Sequence, residues 1–215
     1  MNNKTRKLTT VGMLCALAYA AVAIGRIPIV LFLKYDPKDV IIVIGGLIFG
    51  PAVSFLVSLI VSFVEMFTIS DTGIWGCIMN ILSTCTFACT AALIYKKRRN
   101  LSGAIIGLLC GWALMVGAMM LWNYLITPIY MGYPRQAVAE LLLPAFLPFN
   151  LIKGGLNAAF TMLLYKPVVK ALRRSHLIEA AHETEQGRIN LAVMLVSLLV
   201  LAAFILLALL LKGVI

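Results

Sequence analysis

Charge is what this chain has least of. Asp, Glu, Lys and Arg make up 12% of its 215 residues, against 62% hydrophobic. A soluble domain of this length needs a polar surface that such a composition cannot supply. Acidic residues are the scarcer sign, 8 against 18 Lys and Arg, and histidine occurs only at His176 and His182. A proton relay or ion path would want several carboxylates or histidines at mid-membrane depth, and both histidines fall outside the apolar runs. No phosphate-cradling loop, nucleophile–base set or metal-ligand spacing occurs, which argues against ATP hydrolysis or other enzymatic chemistry by this chain. Cys15, Cys77, Cys85, Cys89 and Cys110 lie in apolar runs without Cys-x-x-Cys spacing. Cys85 and Cys89 share a helix face, but two thiols alone make a poor metal site, and all five read as small packing residues.

What is present is oil in long runs, with a mean hydropathy of +1.03. This composition describes an all-α integral membrane protein. The formal charge of +10 would suggest nucleic acid in a soluble chain. Here most cations flank apolar runs, so they read as cytoplasmic anchors, and the expected partner is the bilayer rather than nucleic acid. The basic start, Met1 to Lys7, leads into a run with no small-residue cleavage site before a polar mature chain, so it reads as a retained first helix.

The apolar segments cover about 8–32, 40–49, 52–67, 75–95, 104–126, 141–165 and 191–211, most of the later ones near the roughly 20 residues a spanning helix needs. The first is broken at Gly25-Arg26-Ile27-Pro28, which predicts a bent or irregular outer end. The second and third meet at Gly50-Pro51 and could be one kinked helix or two. Charge decides between them. Three basic clusters (Lys4/Arg6/Lys7, Lys96 to Arg99, and Lys166/Lys170/Arg173/Arg174/Arg188) share one side only if an even number of crossings separates them. Splitting at Gly50-Pro51 satisfies that parity. The expectation is therefore six helices up to Tyr165, the second and third short, and a seventh over 191–211. The N-terminus is then cytoplasmic and the C-terminus outside. Helices too short for a core of about 30 Å must be covered by neighbours or line a cavity. The polar stretch His176 to Gly187 reads as a cytoplasmic tether or an amphipathic surface helix.

One stretch organises the rest: Pro144-Ala145-Phe146-Leu147-Pro148-Phe149-Asn150-Leu151-Ile152-Lys153-Gly154-Gly155. Pro148 suits the first turn of a helix. A start there puts Asn150, Lys153 and Asn157 on one face, with Lys153 near the positive dipole end, which disfavours a cation. A lysine kept there suggests a task; the competing reading is that it snorkels to the headgroups. Asn80 and Asn123 are expected at similar depth on the outer side. Arg26 either reaches headgroups or works in the site, and Glu65 either pairs with Lys153 or Arg26 or marks the interface. Aromatic residues at that level (Tyr35, Trp75, Trp122, Tyr124, Tyr130, Phe146, Phe149) and the amides together describe a pocket for a flat, uncharged heterocycle. The first helix carries the small-xxx-small spacing Ala16-x-x-x-Ala20, which lets another helix approach closely.

Several motifs resemble the substrate-binding S components of energy-coupling factor (ECF) vitamin transporters, riboflavin-type members in particular. They are Leu33-Lys34-Tyr35-Asp36-Pro37-Lys38-Asp39-Val40, Leu47-Ile48-Phe49-Gly50-Pro51, Asn123-Tyr124-Leu125-Ile126-Thr127-Pro128-Ile129-Tyr130 and Leu147-Pro148-Phe149-Asn150-Leu151-Ile152-Lys153-Gly154. The resemblance implies a six-helix S-component-like bundle over 1–170 with an outward vitamin site capped by the loop after the first helix. The remainder divides into a cytoplasmic linker over 171–188 and one additional C-terminal transmembrane helix over 189–215, which is not part of the usual pattern. It further implies uptake of riboflavin or a close flavin across the cell membrane, the flavin being cargo and no cofactor being required. Energy would come from a membrane coupling subunit and two ATPases. On that analogy Asn123, Asn150 and Lys153 contact the flavin, Tyr35 and Asp36 sit in the cap, and Ala16 and Ala20 face the coupling subunit; Asn80 and Tyr130, read at the same depth from the residue pattern, join the expected binding set. The alternatives are an S component for another small vitamin or heterocycle, and a membrane scaffold without transport.

Overall fold

The computed structural model describes residues 3–30, 33–175 and 191–211; the expected tether over 176–187 lies outside them. α1 (Asn3–Gly25) is followed by a short antiparallel hairpin, β1 (Ile27–Val30) and β2 (Leu33–Tyr35), with Ile27 opposite Tyr35 and Pro28 opposite Lys34. The irregular outer end expected of the first segment is thus a full reversal of the chain. Pro28 cannot continue a helix, and the β-branched Ile27, Ile29 and Val30 favour extended backbone.

α2 (Lys38–Phe49) and α3 (Pro51–Thr68) are separate helices. Gly50 between them has φ 98°, a conformation costly for any residue with a Cβ, and Pro51 opens α3 where its missing N–H is harmless. At about 1.5 Å per residue α2 is only ~18 Å long, well short of a bilayer core of about 30 Å. Nine of its residues are buried, and it packs against α1, α3, α4 and α8. The requirement that neighbours cover a short helix is met for α2, whereas α3, expected to be short as well, has 18 residues and is long enough to cross.

α4 (Gly73–Lys97) and α5 (Leu101–Leu125) form an antiparallel pair. Asn100 caps α5 by accepting from the Gly103 N–H at 2.7 Å. Two short helices follow, α6 (Thr127–Met131) and α7 (Arg135–Leu141). A π-helical turn over Leu142–Phe146 then joins α7 to α8 (Leu147–Arg174). Pro148 does fall in the first turn of α8, but that helix continues the run from α7 instead of starting free. Pro144 and Pro148 each remove an N–H from the ladder, and the helix absorbs the loss by widening rather than stopping. Lys153 therefore sits well inside a helical run, away from a dipole end.

Among the described residues six helical stretches are long and apolar enough to cross a membrane: α1, α3, α4, α5, the α7–α8 run and α9 (Leu191–Leu211). With the short α2 they make a six-helix bundle plus one added helix. The hydroxyls of Tyr95 and Tyr165 lie 3.1 Å apart, which puts the basic ends of α4 and α8 together. The opposite end holds the hairpin, where Ile29, Leu33 and Tyr35 pack with Val138, Phe146, Phe149 and Ile152. α9 lies along α8, with Phe204 filling the space a side chain at Gly155 would need and meeting Trp112 edge-on at 5.5 Å. Its Ala208 and Leu211 reach the hairpin cluster.

Candidate ligand-binding site

Beneath the hairpin the bundle encloses a cavity of about 360 Å³, at the lower end of the range of small-molecule sites, roughly 300–1,000 Å³. Six parts of the chain supply its polar wall. Arg26, Lys34 and Asp36 come from the hairpin and the turns on either side of it, Ser70, Asp71 and Thr72 from the loop before α4, Asn80 and Ser83 from α4, Asn123 from α5, Tyr130 from α6, and Asn150 and Lys153 from α8. Met79, Met119 and Phe149 provide apolar faces. Of the residues singled out in the sequence, Asp36, Asn80, Asn123, Tyr130, Asn150 and Lys153 meet here.

Tyr35 does not line the cavity. Its hydroxyl donates to Asn157 Oδ1 at 2.9 Å, within the network behind Lys153. The aromatic lining is also thinner than expected. Only Tyr130 and Phe149 of the seven rings face the hollow; Trp122 and Phe146 are packed in the core, and Trp75 and Tyr124 are exposed. Ala16 and Ala20 are exposed on the outer face of α1, and neither lines the cavity.

Lys153 is buried at 5% exposure, so it turns inward rather than snorkelling. Its ammonium donates to Ser83 Oγ at 3.2 Å and pairs with Asp39 Oδ2 at 3.2 Å. Asp39 is held in turn by Thr84 Oγ1 (2.7 Å) and Asn157 Nδ2 (3.2 Å). A second cluster stands beside the first. Arg26 Nε donates to Asp36 Oδ1 at 2.7 Å and its Nη2 to Glu65 Oε2 at 3.1 Å. Glu65 also accepts from Lys38 Nζ and from Asn80 Nδ2. Burial pushes the Asp36 carboxyl up, but Lys38, Lys153 and Arg26 outweigh it and hold the group below the ordinary carboxylate range. A buried charge is tolerable only when paired in this way.

The amides are positioned by their own helices. Asn123 Nδ2 donates to Met119 O at 2.7 Å and its Oδ1 accepts from Thr127 Oγ1, while Asn150 Nδ2 donates to Phe146 O at 2.7 Å. Each i to i−4 bond fixes a rotamer and leaves the Asn150 amide oxygen and the second N–H of both amides for the hollow. The arrangement offers paired donors and acceptors, one ammonium and two rings to a flat polar heterocycle.

Sequence reasoning does not single out Ser83, puts Lys38 and Asp39 only on the rim of the cavity, and leaves Arg26 open between the headgroups and the site. A signal for Ser83 exists: Asn80, Ser83 and Thr84 fall on one helix face at i, i+3 and i+4, and all three are buried. Lys38 and Asp39 gave no such signal, since they looked like an exposed rim.

A membrane bundle with a ligand-sized hollow under one face defines a solute-binding membrane subunit. The chain belongs to a family of them: residues 6–165 match the model of the ECF transporter, substrate-specific component. It is 28% identical over 181 residues to the riboflavin transporter RibU of Staphylococcus aureus (strain TCH60), covering 80% of this chain and 94% of that one. It is 29% identical over 190 residues to the riboflavin transporter FmnP of Bacillus subtilis (strain 168), covering 81% and 99%. A solved structure described as the S component of a bacterial ECF transporter superposes with a TM-score of 0.67 at 27% identity, covering 80% of this chain and 99% of that one. The chain is accordingly a transport component of the membrane and not an enzyme. The family match ends before α9.

Proposed function

We propose that this chain binds riboflavin or a close flavin in the cavity and carries it inward across the cell membrane. Movement is driven by a membrane coupling subunit and two ATPases that the chain itself does not contain. The observation that carries the reading is the convergence of Asn80, Asn123, Asn150 and Lys153 with Phe149 and Tyr130 around one hollow. The riboflavin transporters among its relatives support the same ligand. In this reading the ring system lies deep, its imide edge on the amides and Lys153, with the polyol tail toward Ser70 and Thr72 at the mouth. The mouth faces outward and the basic ends of α4 and α8 face the cytoplasm, in line with the positive-inside rule. Purified protein is expected to be yellow, or to quench added riboflavin fluorescence at micromolar levels or below. Colourless protein that leaves riboflavin fluorescence undiminished would rule the flavin out, and a thermal-shift panel of other vitamins would then decide among ligands.

Ala16 and Ala20 are the expected contact with the coupling subunit, because their small, exposed surface lets another helix lie close. Ala16→Trp should leave flavin affinity within about twofold, since this position does not line the cavity, while abolishing uptake in cells that supply the partner subunits. Full uptake by that variant would move the docking face elsewhere.

A further inference from the structure

The charges around the cavity cancel, and the way they cancel bears on which flavin can enter. Five charged residues line it: Arg26, Lys34, Asp36, Asp71 and Lys153. Lys38, Asp39 and Glu65 stand behind them. Every cation in this group has a carboxylate at ion-pair distance: Arg26 has Asp36 and Glu65, Lys34 has Asp71, Lys38 has Glu65 and Lys153 has Asp39. Four positive groups meet four negative ones.

Four of these five contacts are buried or largely so, and recruiting their cations would strand a carboxylate out of water. The exception is Lys34 Nζ to Asp71 Oδ2 at 2.6 Å, with side chains 40% and 76% exposed. It joins the hairpin, which carries Lys34, to the 70–72 loop, which carries Asp71, at the exposed mouth of the cavity. Among the described residues of the wall, Lys34 is thus the cation that an incoming anion could draw on, and Asp71 already occupies it. The Lys34 ammonium hydrogen-bonded to it holds the Asp71 carboxyl below the usual carboxylate range, so it is ionised at neutral pH.

We propose that Asp71 is a specificity-determining residue that selects a flavin with an uncharged tail and disfavours the same flavin carrying a terminal phosphate. This rests on the flavin reading above, which places the tail at the mouth. A phosphate monoester brings a charge of about −1.5 to −2 at pH 7. At the mouth it meets a carboxylate of its own sign, and the neighbouring ammonium is engaged. An uncharged polyol meets the hydroxyls of Ser70 and Thr72 and suffers no such repulsion.

The test measures fluorescence quenching of riboflavin and of flavin mononucleotide by the purified full chain. In the wild-type protein the phosphate ester should bind at least about tenfold more weakly. Asp71→Asn keeps the shape and removes the charge. It should tighten the phosphate ester by about tenfold relative to riboflavin. That gain should shrink in about 0.5 M salt, where the Debye length falls to a few ångströms. Adding Lys34→Ala to Asp71→Asn should erase the gain, because the freed ammonium is its source. Equal affinities for the two flavins in the wild type, or an unchanged ratio in Asp71→Asn, would overturn the assignment while leaving riboflavin binding intact. Failure of riboflavin itself to bind removes the flavin reading and this inference with it.

Discussion

Truncating Lys153 to alanine should weaken flavin binding by about 10- to 100-fold, the loss of one charge-assisted hydrogen bond worth ~1.5–3 kcal/mol. Its ammonium is aimed into the hollow and steadied by Ser83 and Asp39, so little ordering remains to be done when a carbonyl or imide edge arrives. The single variant has a second effect. It leaves Asp39 buried at 1% exposure without its cation, and breaking a buried pair in this way costs about 3–5 kcal/mol. Stability and affinity would fall together, and an unbound, unfolded protein proves nothing. The double variant Lys153→Met with Asp39→Asn separates the two effects. It removes both charges at nearly constant volume, and the amide oxygen that replaces the carboxylate can still accept from Thr84, so stability should return close to wild type. Affinity should not return. Wild-type flavin affinity in the stable double variant would show that the lysine serves only to neutralise Asp39.

The bundle could be read from the sequence because two independent signals agreed there. Apolar length set the crossings, and basic clusters forced the split at Gly50-Pro51, where the backbone does take a positive φ. The amides could be found because a polar group inside an apolar run stands out without any knowledge of its neighbours. Their partners could not. Lys38-Asp39 follows Lys34-Tyr35-Asp36-Pro37, and six polar or turn-forming residues in succession look like a solvated rim. Only the reversal at Arg26 and the hairpin pairing fold this stretch inward, and both depend on contacts distant in sequence: Arg26 with Glu65, Asp39 with Lys153 and Asn157. The argument that Pro148 sets a dipole end near Lys153 failed for a related reason. A proline marks where a hydrogen bond is missing, not whether the helix stops or widens into a π turn. The expected ring of aromatic residues failed because Trp and Tyr near a membrane surface serve anchoring and packing equally well, and depth alone does not give direction.

The other large effect should come from Glu65, and its pattern ought to be the reverse of that at Lys153. Glu65 is fully buried and accepts from Lys38, Arg26 and Asn80, tying α2, the end of α1 and α4 to α3. Yet neither Glu65 nor Lys38 lines the cavity. Glu65→Ala strands the Lys38 ammonium, itself at 0% exposure, and should cost about 3–5 kcal/mol, seen as a lower unfolding midpoint of the ligand-free detergent-solubilised protein. Flavin affinity should drop as well, since Asn80 loses its anchor and Arg26 keeps only Asp36 and the Ile69 carbonyl. Glu65→Gln with Lys38→Met removes both buried charges, and the glutamine carbonyl remains as acceptor for Asn80 and Arg26. Here stability and affinity should recover together, affinity to within about fivefold, because no atom lost by that pair touches the ligand. At Lys153 and Asp39 the paired change restores the fold alone. Measuring both double variants side by side therefore asks which buried cation faces the flavin. A stable Glu65→Gln, Lys38→Met protein that fails to bind would place Glu65 in contact with the ligand and redraw the wall of the site.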